Sequence, residues 1–262
     1  MIRVLLLAAA LAAGAPAMAA DTPATVFLEE LTSPEVAAAI AAGKTTIIVP
    51  VGGTEQNGAH MVLGKHNVRA KALAAQVARV LGDALVAPVV AYVPEGGIDP
   101  PTGHMRYPGT ITVAPDAYRA VLASAARSFR RHGFRTIVLL GDHGDYQKDN
   151  QAVAAALTRE WAGTGVRVLA VAEYYRAATT GYAQSLKARG YADGEIGLHA
   201  GLADTSLALA VDPRLVRTER LAVASPGVSG DPRRASAELG QAGVDAIVAQ
   251  TVEAVRAATL RR

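Results

Sequence analysis

The side chains able to do chemistry in this sequence gather by type and place. Of its six histidines, His60, His66, His104, His143 and His199 fall in Gly-rich polar stretches, each with an Asp, Glu or Asn nearby in the chain. His132 stands apart near the end of an amphipathic stretch, where a helix C-terminus accounts for a basic side chain without chemistry. One loop histidine usually does no more than hydrogen-bond. Five among carboxylates make a nitrogen and oxygen donor set that divalent metals take. The setting also repeats. Ile47 to Val51 opens through Gly52-Gly53 into Glu55, Gln56, Asn57 and His60, and Ile137 to Leu140 runs into Gly141-Asp142-His143-Gly144-Asp145. A third loop, His199-Ala200-Gly201, leads to Asp204. Open α/β sheets bind ligands beyond the carboxyl ends of their strands, where such loops lie. The three loops are therefore expected to meet around one metal-centred hydrolytic site.

Other chemistries drop out. The chain has no cysteine, which excludes disulfides, Cys-zinc sites and thiol nucleophiles. Gly52-Gly53 is not followed by the Lys-Ser/Thr of a phosphate cradle, and Ser33 and Ser206 lack the Gly-x-Ser-x-Gly setting of a nucleophile elbow. The net charge of +3 is scattered in pairs such as Arg130-Arg131 and Arg233-Arg234, so nucleic acid is not an expected partner.

The elements that must position these residues alternate. Strands are expected at Thr45 to Val51, Ala84 to Val93, Thr136 to Leu140 and Val166 to Ala172. Helices are expected at Pro34 to Ala42, Asn67 to Leu81, Pro115 up to Gly133, and Gln147 to Trp161, with a long one within Ala235 to Leu260. Thr205 to Val211 reads as helix or strand. The Gly- and Pro-rich loop Pro94 to Tyr107 is long for a compact domain, which suggests function. Between Glu173 and Gly197 the periodicity weakens while tyrosines accumulate, and a lid or subunit contact is expected there. Trp161 reads as core. Alternation of this kind gives right-handed crossovers and a single α/β domain, layered α/β/α around a mostly parallel sheet. At the N-terminus, Arg3, the apolar run Val4 to Ala13 and Ala17-Met18-Ala19 read as a secretory signal peptide over residues 1–20. The run is too short to span a bilayer. The mature domain is then 21–262, periplasmic or secreted, with no membrane attachment after processing.

The segment Pro50-Val51-Gly52-Gly53-Thr54-Glu55-Gln56-Asn57-Gly58-Ala59-His60 resembles the signature of the creatininase (creatinine amidohydrolase) family, Pro-x-Gly-x-x-Glu-Gln-His-Gly-x-His. Four further segments resemble that family's motifs in order: Gly103 to Thr110, Gly141 to Asp145, His199 to Ser206, and Gly230-Asp231-Pro232. The resemblance runs from about Leu31 to Val255. It implies a layered α/β/α fold, assembly as a homo-oligomer (often a hexamer), and a divalent metal, zinc or manganese, that serves hydrolysis of cyclic or linear amide C–N bonds. Residue by residue, Glu55 and His143 match metal ligands, Asp145 matches a carboxylate ligand, Asp204 matches a Glu, and His199 matches a histidine proposed for acid–base work. Two positions depart: Asn57 stands where the family has a ligand His, and His66 where it has a bridging Asp. A carboxylate bridges two cations, whereas a neutral imidazole has one free lone pair.

The departures favour one ion, most readily zinc, held by Glu55, His66, His143 and Asp145. Water on the metal would attack an amide carbonyl, with Asp145 or Asp204 accepting the proton and His199 donating to the leaving nitrogen. His60, His104, Asn57 and Tyr107 would line the pocket of a small-molecule amide substrate. The alternative is a catalytically degenerate relative acting as a periplasmic small-ligand-binding or structural protein.

Overall fold

The computed structural model describes residues 24–260, so the residues 1–20 read as a signal peptide lie outside the described part. Four strands form one sheet in the order β2-β1-β3-β4. They are β1 (Thr46–Val51), β2 (Ala84–Val86), β3 (Thr136–Gly141) and β4 (Arg167–Ala170), and every pairing is parallel. The register sets Val51 beside Gly141, so the loops after β1 and β3 leave the sheet side by side. Both strands are buried along their whole length, as parallel strands covered on two faces must be.

Helices cover both faces. Ile47, Val49, Ile137 and Leu139 pack with Tyr118, Leu122, Val153 and Leu157 from α3 (Pro115–Arg131) and α4 (Gln147–Glu160); Ala39 of α1 (Ser33–Ala41) joins them. Ile48, Val138 and Leu140 face the other way, onto Leu73 and Val77 of α2 (Lys65–Leu81). That face also takes residues of α8 (Leu202–Val211) and α9 (Ala237–Leu260). The layered α/β/α expectation therefore holds, and Trp161 is core, at 1% exposure.

Two expectations shift and one is resolved. The second strand stops at Val86 instead of running to Val93. Ala87 is the last regular donor to β1, and an extra residue in the Pro88-Val89 stretch breaks the ladder, so Val90 instead of Val89 reaches the Pro50 carbonyl and rejoins only as an isolated bridge to Val51. Pro50 is tolerated inside the central strand because β1's even-numbered residues bond toward the β2 side: Ala87 donates to the Ile48 carbonyl (2.8 Å) and Val90 to that of Pro50 (3.0 Å). The N–H that Pro50 lacks thus falls beyond the end of β2. Thr205 to Val211 is helix. The Tyr-rich segment is also helical: α5 (Ala172–Arg176), a π-helical stretch (Ala177–Gly181), α6 (Tyr182–Ala188) and α7 (Asp193–Ile196). Its Tyr174 and Tyr182 sit in the core, so two of the residues that suggested a lid are spent on packing.

Candidate metal centre

The site begins where β1 ends. A Cβ on Gly52 would lie 2.1 Å from Asn67 Oδ1, and one on Gly53 2.5 Å from Glu95 Oε1, so only glycine admits these approaches. Through that gap the Gly53 N–H donates to Asn67 Oδ1 (2.9 Å). Beneath it, Tyr146 fastens β1 to β3. Its hydroxyl accepts the N–H groups of Asp142 (3.1 Å) and His143 (3.0 Å) and donates to the Gly52 or Val51 carbonyl (2.6 and 2.9 Å). One buried hydroxyl thereby holds both loops in register.

Glu55 lies at the middle of the cluster, and it is fully buried. Its Oε1 lies 2.8 Å from His66 Nε2, 3.7 Å from Lys65 Nζ and 3.7 Å from His199 Nδ1. Its Oε2 lies 3.1 Å from His104 Nε2 and 3.4 Å from His143 Nε2, and no hydrogen bond satisfies it. Burial alone would push this carboxyl up. The His66 hydrogen bond and the Lys65 charge outweigh it and hold Glu55 well below the ordinary carboxylate range. Burial keeps His143 and His199 neutral at pH 7, lowering them to about 3 and about 4.

One ligand atom from each of Glu55, His104 and His143 lies within 4.8 Å of the others, and Glu95, His143 and Asp145 make a second such group. Neither oxygen of the fully buried Glu95 has a hydrogen-bond partner. Burial, with Glu55 and Asp145 nearby, raises its carboxyl to about 9. Buried carboxylate oxygens without donors are costly in a protein interior. Facing imidazole nitrogens, they fit a divalent cation, so the residues present suit one ion.

The expected site residues divide. Glu55, His104, His143, Asp145 and His199 come together. His66 sits in the cluster with both nitrogens engaged, Nε2 on Glu55 and Nδ1 on Asp142 Oδ2 (2.6 Å), so it clamps two carboxylates while His104, expected in the pocket, lies where His66 was expected. Asn57 donates from Nδ2 to the Glu55 and Val62 carbonyls (2.9 and 3.0 Å), stiffening the loop. Asp204 lies against Lys65 and accepts from Arg69 (2.7 Å) and the Ala200 N–H (3.0 Å). Burial pushes Asp204 up, but Lys65 and Arg69 hold it well below its usual value. His60 is buried against Thr205 Oγ1 (3.1 Å), away from Glu55's immediate partners. Tyr107 contributes through its backbone, its N–H donating to the His104 carbonyl (3.0 Å). Glu95, Lys65, Arg69 and Tyr146 were not singled out from sequence. Only Glu95 carried a signal, an acid before Gly96-Gly97 after an apolar run.

The creatinine amidohydrolase family model matches residues 29–255. Creatinine amidohydrolase of Pseudomonas putida is 27% identical over 257 residues, covering 88% of this chain and 96% of the relative. A mycofactocin precursor peptide peptidase of Mycolicibacterium smegmatis is 29% identical over 221 residues, covering 74% of this chain and 78% of that protein. A crystal structure of creatinine amidohydrolase superposes with a TM-score of 0.75 at 26% identity, covering 91% of this chain and all (100%) of that one. Two further creatininase structures, described as a Zn–Zn type and a Mn form, superpose at 0.72 and 28% identity, each covering 90% of this chain and 98% or 99% of their own. With the family's pattern matched over nearly all of the described residues and its fold shared, this chain belongs to the creatininase family.

Proposed function

We propose that this chain is a metal-dependent amidohydrolase that cleaves an amide C–N bond of a small molecule, with one divalent ion, zinc or manganese, held by Glu55, His104 and His143. The observation that carries this reading is Glu55 Oε2: fully buried, without a donor, and facing two imidazole nitrogens at 3.1 and 3.4 Å. An ion there supplies a Lewis acid for the amide carbonyl and makes water a better nucleophile. Two relatives, a creatinine amidohydrolase and a precursor peptide peptidase, differ in substrate, and the amide bond is what their names share.

The chain's own residues supply the proton work. His199 Nε2 bonds the Gln56 carbonyl (2.9 Å), which puts the proton on Nε2 and leaves the Nδ1 lone pair toward Glu55. Neutral at pH 7, it accepts a proton from water and hands it to the leaving nitrogen. Asp145 is exposed at the edge of the cluster, beside Glu95 and His143, and relays protons to solvent. Asp204, tied to Lys65 and Arg69, holds structure.

Incubation with creatinine, formamides and small lactams plus zinc or manganese tests the reading. Turnover abolished by Glu55→Ala supports it. Tight ligand binding without turnover by metal-loaded protein replaces it with the binding-protein reading. Export and homo-oligomeric assembly, with a hexamer as the working state, complete the proposal. A mature N-terminus at Ala20 or Asp21 and the sedimentation mass check them.

A further inference from the structure

Glu55 turns its two oxygens to different surroundings. Oε2 meets only imidazole nitrogens. Oε1 meets protein donors, and among them Lys65 is out of the ordinary. It stands in the first turn of α2, 1% exposed, with its ammonium against Asp204 and 3.7 Å from Glu55 Oε1. Lysine is almost never buried to this degree unless carboxylates hold it, and here two share it. Arg69 completes the arrangement, bonding Asp204 Oδ1 (2.7 Å) and Asp142 Oδ2 (2.9 Å). The negative charge on the Oε1 side is thus already met by fixed side chains.

The neighbouring residues agree. A second ion on this side would need free donors. Of Asn57 only the neutral amide Oδ1 is left without a partner, a weak ligand beside imidazole or carboxylate, and His66 has both nitrogens on carboxylates. A dication would also stand close to an ammonium with little water between, where like charges repel far more strongly than in bulk water. The residues here do not fit the two-metal arrangement named for one related structure.

We propose that Lys65 is the built-in second cation of this centre. Its ammonium takes the Oε1 side of Glu55, between Glu55 and Asp204, so the chain holds a single divalent ion on the Oε2 side. Lys65 is a positioning residue: it fixes the orientation of Glu55 and supplies a permanent positive charge. The proposal rests on the reading that Glu55, His104 and His143 hold the ion.

The test needs no substrate. Protein stripped of metal is loaded with excess Mn²⁺ or Zn²⁺, desalted and counted by elemental mass spectrometry, and Mn²⁺ affinity is measured by calorimetry at one pH. Wild type should hold one ion per chain. Lys65→Met keeps the stem and drops the charge, and it should bind Mn²⁺ about tenfold tighter once the neighbouring repulsion is gone. Lys65→Arg keeps the charge and should stay within about threefold of wild type. Two ions per wild-type chain, or an affinity in Lys65→Met no tighter than wild type, overturns the proposal while leaving the metal reading intact. No ion in wild type overturns the metal reading, and this one with it. If circular dichroism shows Lys65→Met unfolded, the wild-type count and Lys65→Arg decide: a change in affinity beyond about tenfold on the conservative exchange overturns the role of charge.

Discussion

Glu55 answers to five side chains at once, and its replacement should show most directly what the cluster is for. Glu55→Gln keeps the shape and removes the charge. It is expected to weaken Mn²⁺ binding by more than about a hundredfold, measured by calorimetry, since a neutral amide is a poor ligand and the facing imidazoles lose their common partner. Glu95 gives a pH test in metal-free buffer. Its carboxyl lies at about 9, above the ordinary 4.5. The folded state therefore holds that proton more tightly than the unfolded chain. The resulting stability is complete below about pH 4.5 and is lost as pH rises toward 9. Glu95→Gln should melt above wild type at pH 8, with the gap closing toward pH 5, and a reversed gap in thermal melts would refute the assignment. His143 and His199 act in the opposite sense. Lowered from 6.5 to about 3 and about 4, they cost stability as pH falls below 6.5. Glu55 and His143 were legible in the sequence because each follows an apolar run and a glycine. Lys65 and Arg69 were not, because a charge near a helix start reads as a solvated face until a distant Asp142 or Asp204 is found against it. His66 and His104 exchanged surroundings for a similar reason: sequence shows that an imidazole is near the site, and only coordinates show what each nitrogen touches.

At the scale of elements, close backbone approach outweighs local propensity. Gly240 lies in α9, where a Cβ would meet the Ser206 carbonyl oxygen of α8 at 1.9 Å. Alanine is the better helix former by about 1 kcal/mol, yet Gly240→Ala is expected to destabilise by about 2–3 kcal/mol in urea melts, because two helices must separate to admit one methyl. Ala200 makes a second case. It holds φ 56, a left-handed conformation that alanine rarely adopts, between His199 and the turn into α8. Ala200→Gly should match or exceed wild-type stability, and Ala200→Val should lose about 1–3 kcal/mol. Strands β1 and β3 and helices α3, α4 and α9 were readable from periodicity and from their Pro and Gly boundaries. The short β2 was not, because Val89, Val90 and Val93 look like strand residues. What ends the strand is the extra residue that puts Val90, not Val89, on the Pro50 carbonyl.

For the whole molecule, the ion should act as a ligand of the folded state. At a free concentration near a hundred times its dissociation constant it adds about 2.7 kcal/mol, or about 5–10 °C in Tm for a domain of this size. Scanning calorimetry with and without Mn²⁺ reads this directly, and an unchanged melt would contradict a site formed by the native fold. The sheet order makes the dependence strict. Glu55 leaves β1, His143 leaves β3, and His104 arrives on a separate excursion between them, so no short piece of chain carries the donor set. During refolding, capture must therefore wait until the two central strands have docked and Tyr146 has pinned their ends. Metal uptake then serves as an inspection stamp: a half-folded chain stays blank, and the time course of Mn²⁺ binding marks the moment at which β3 docks beside β1.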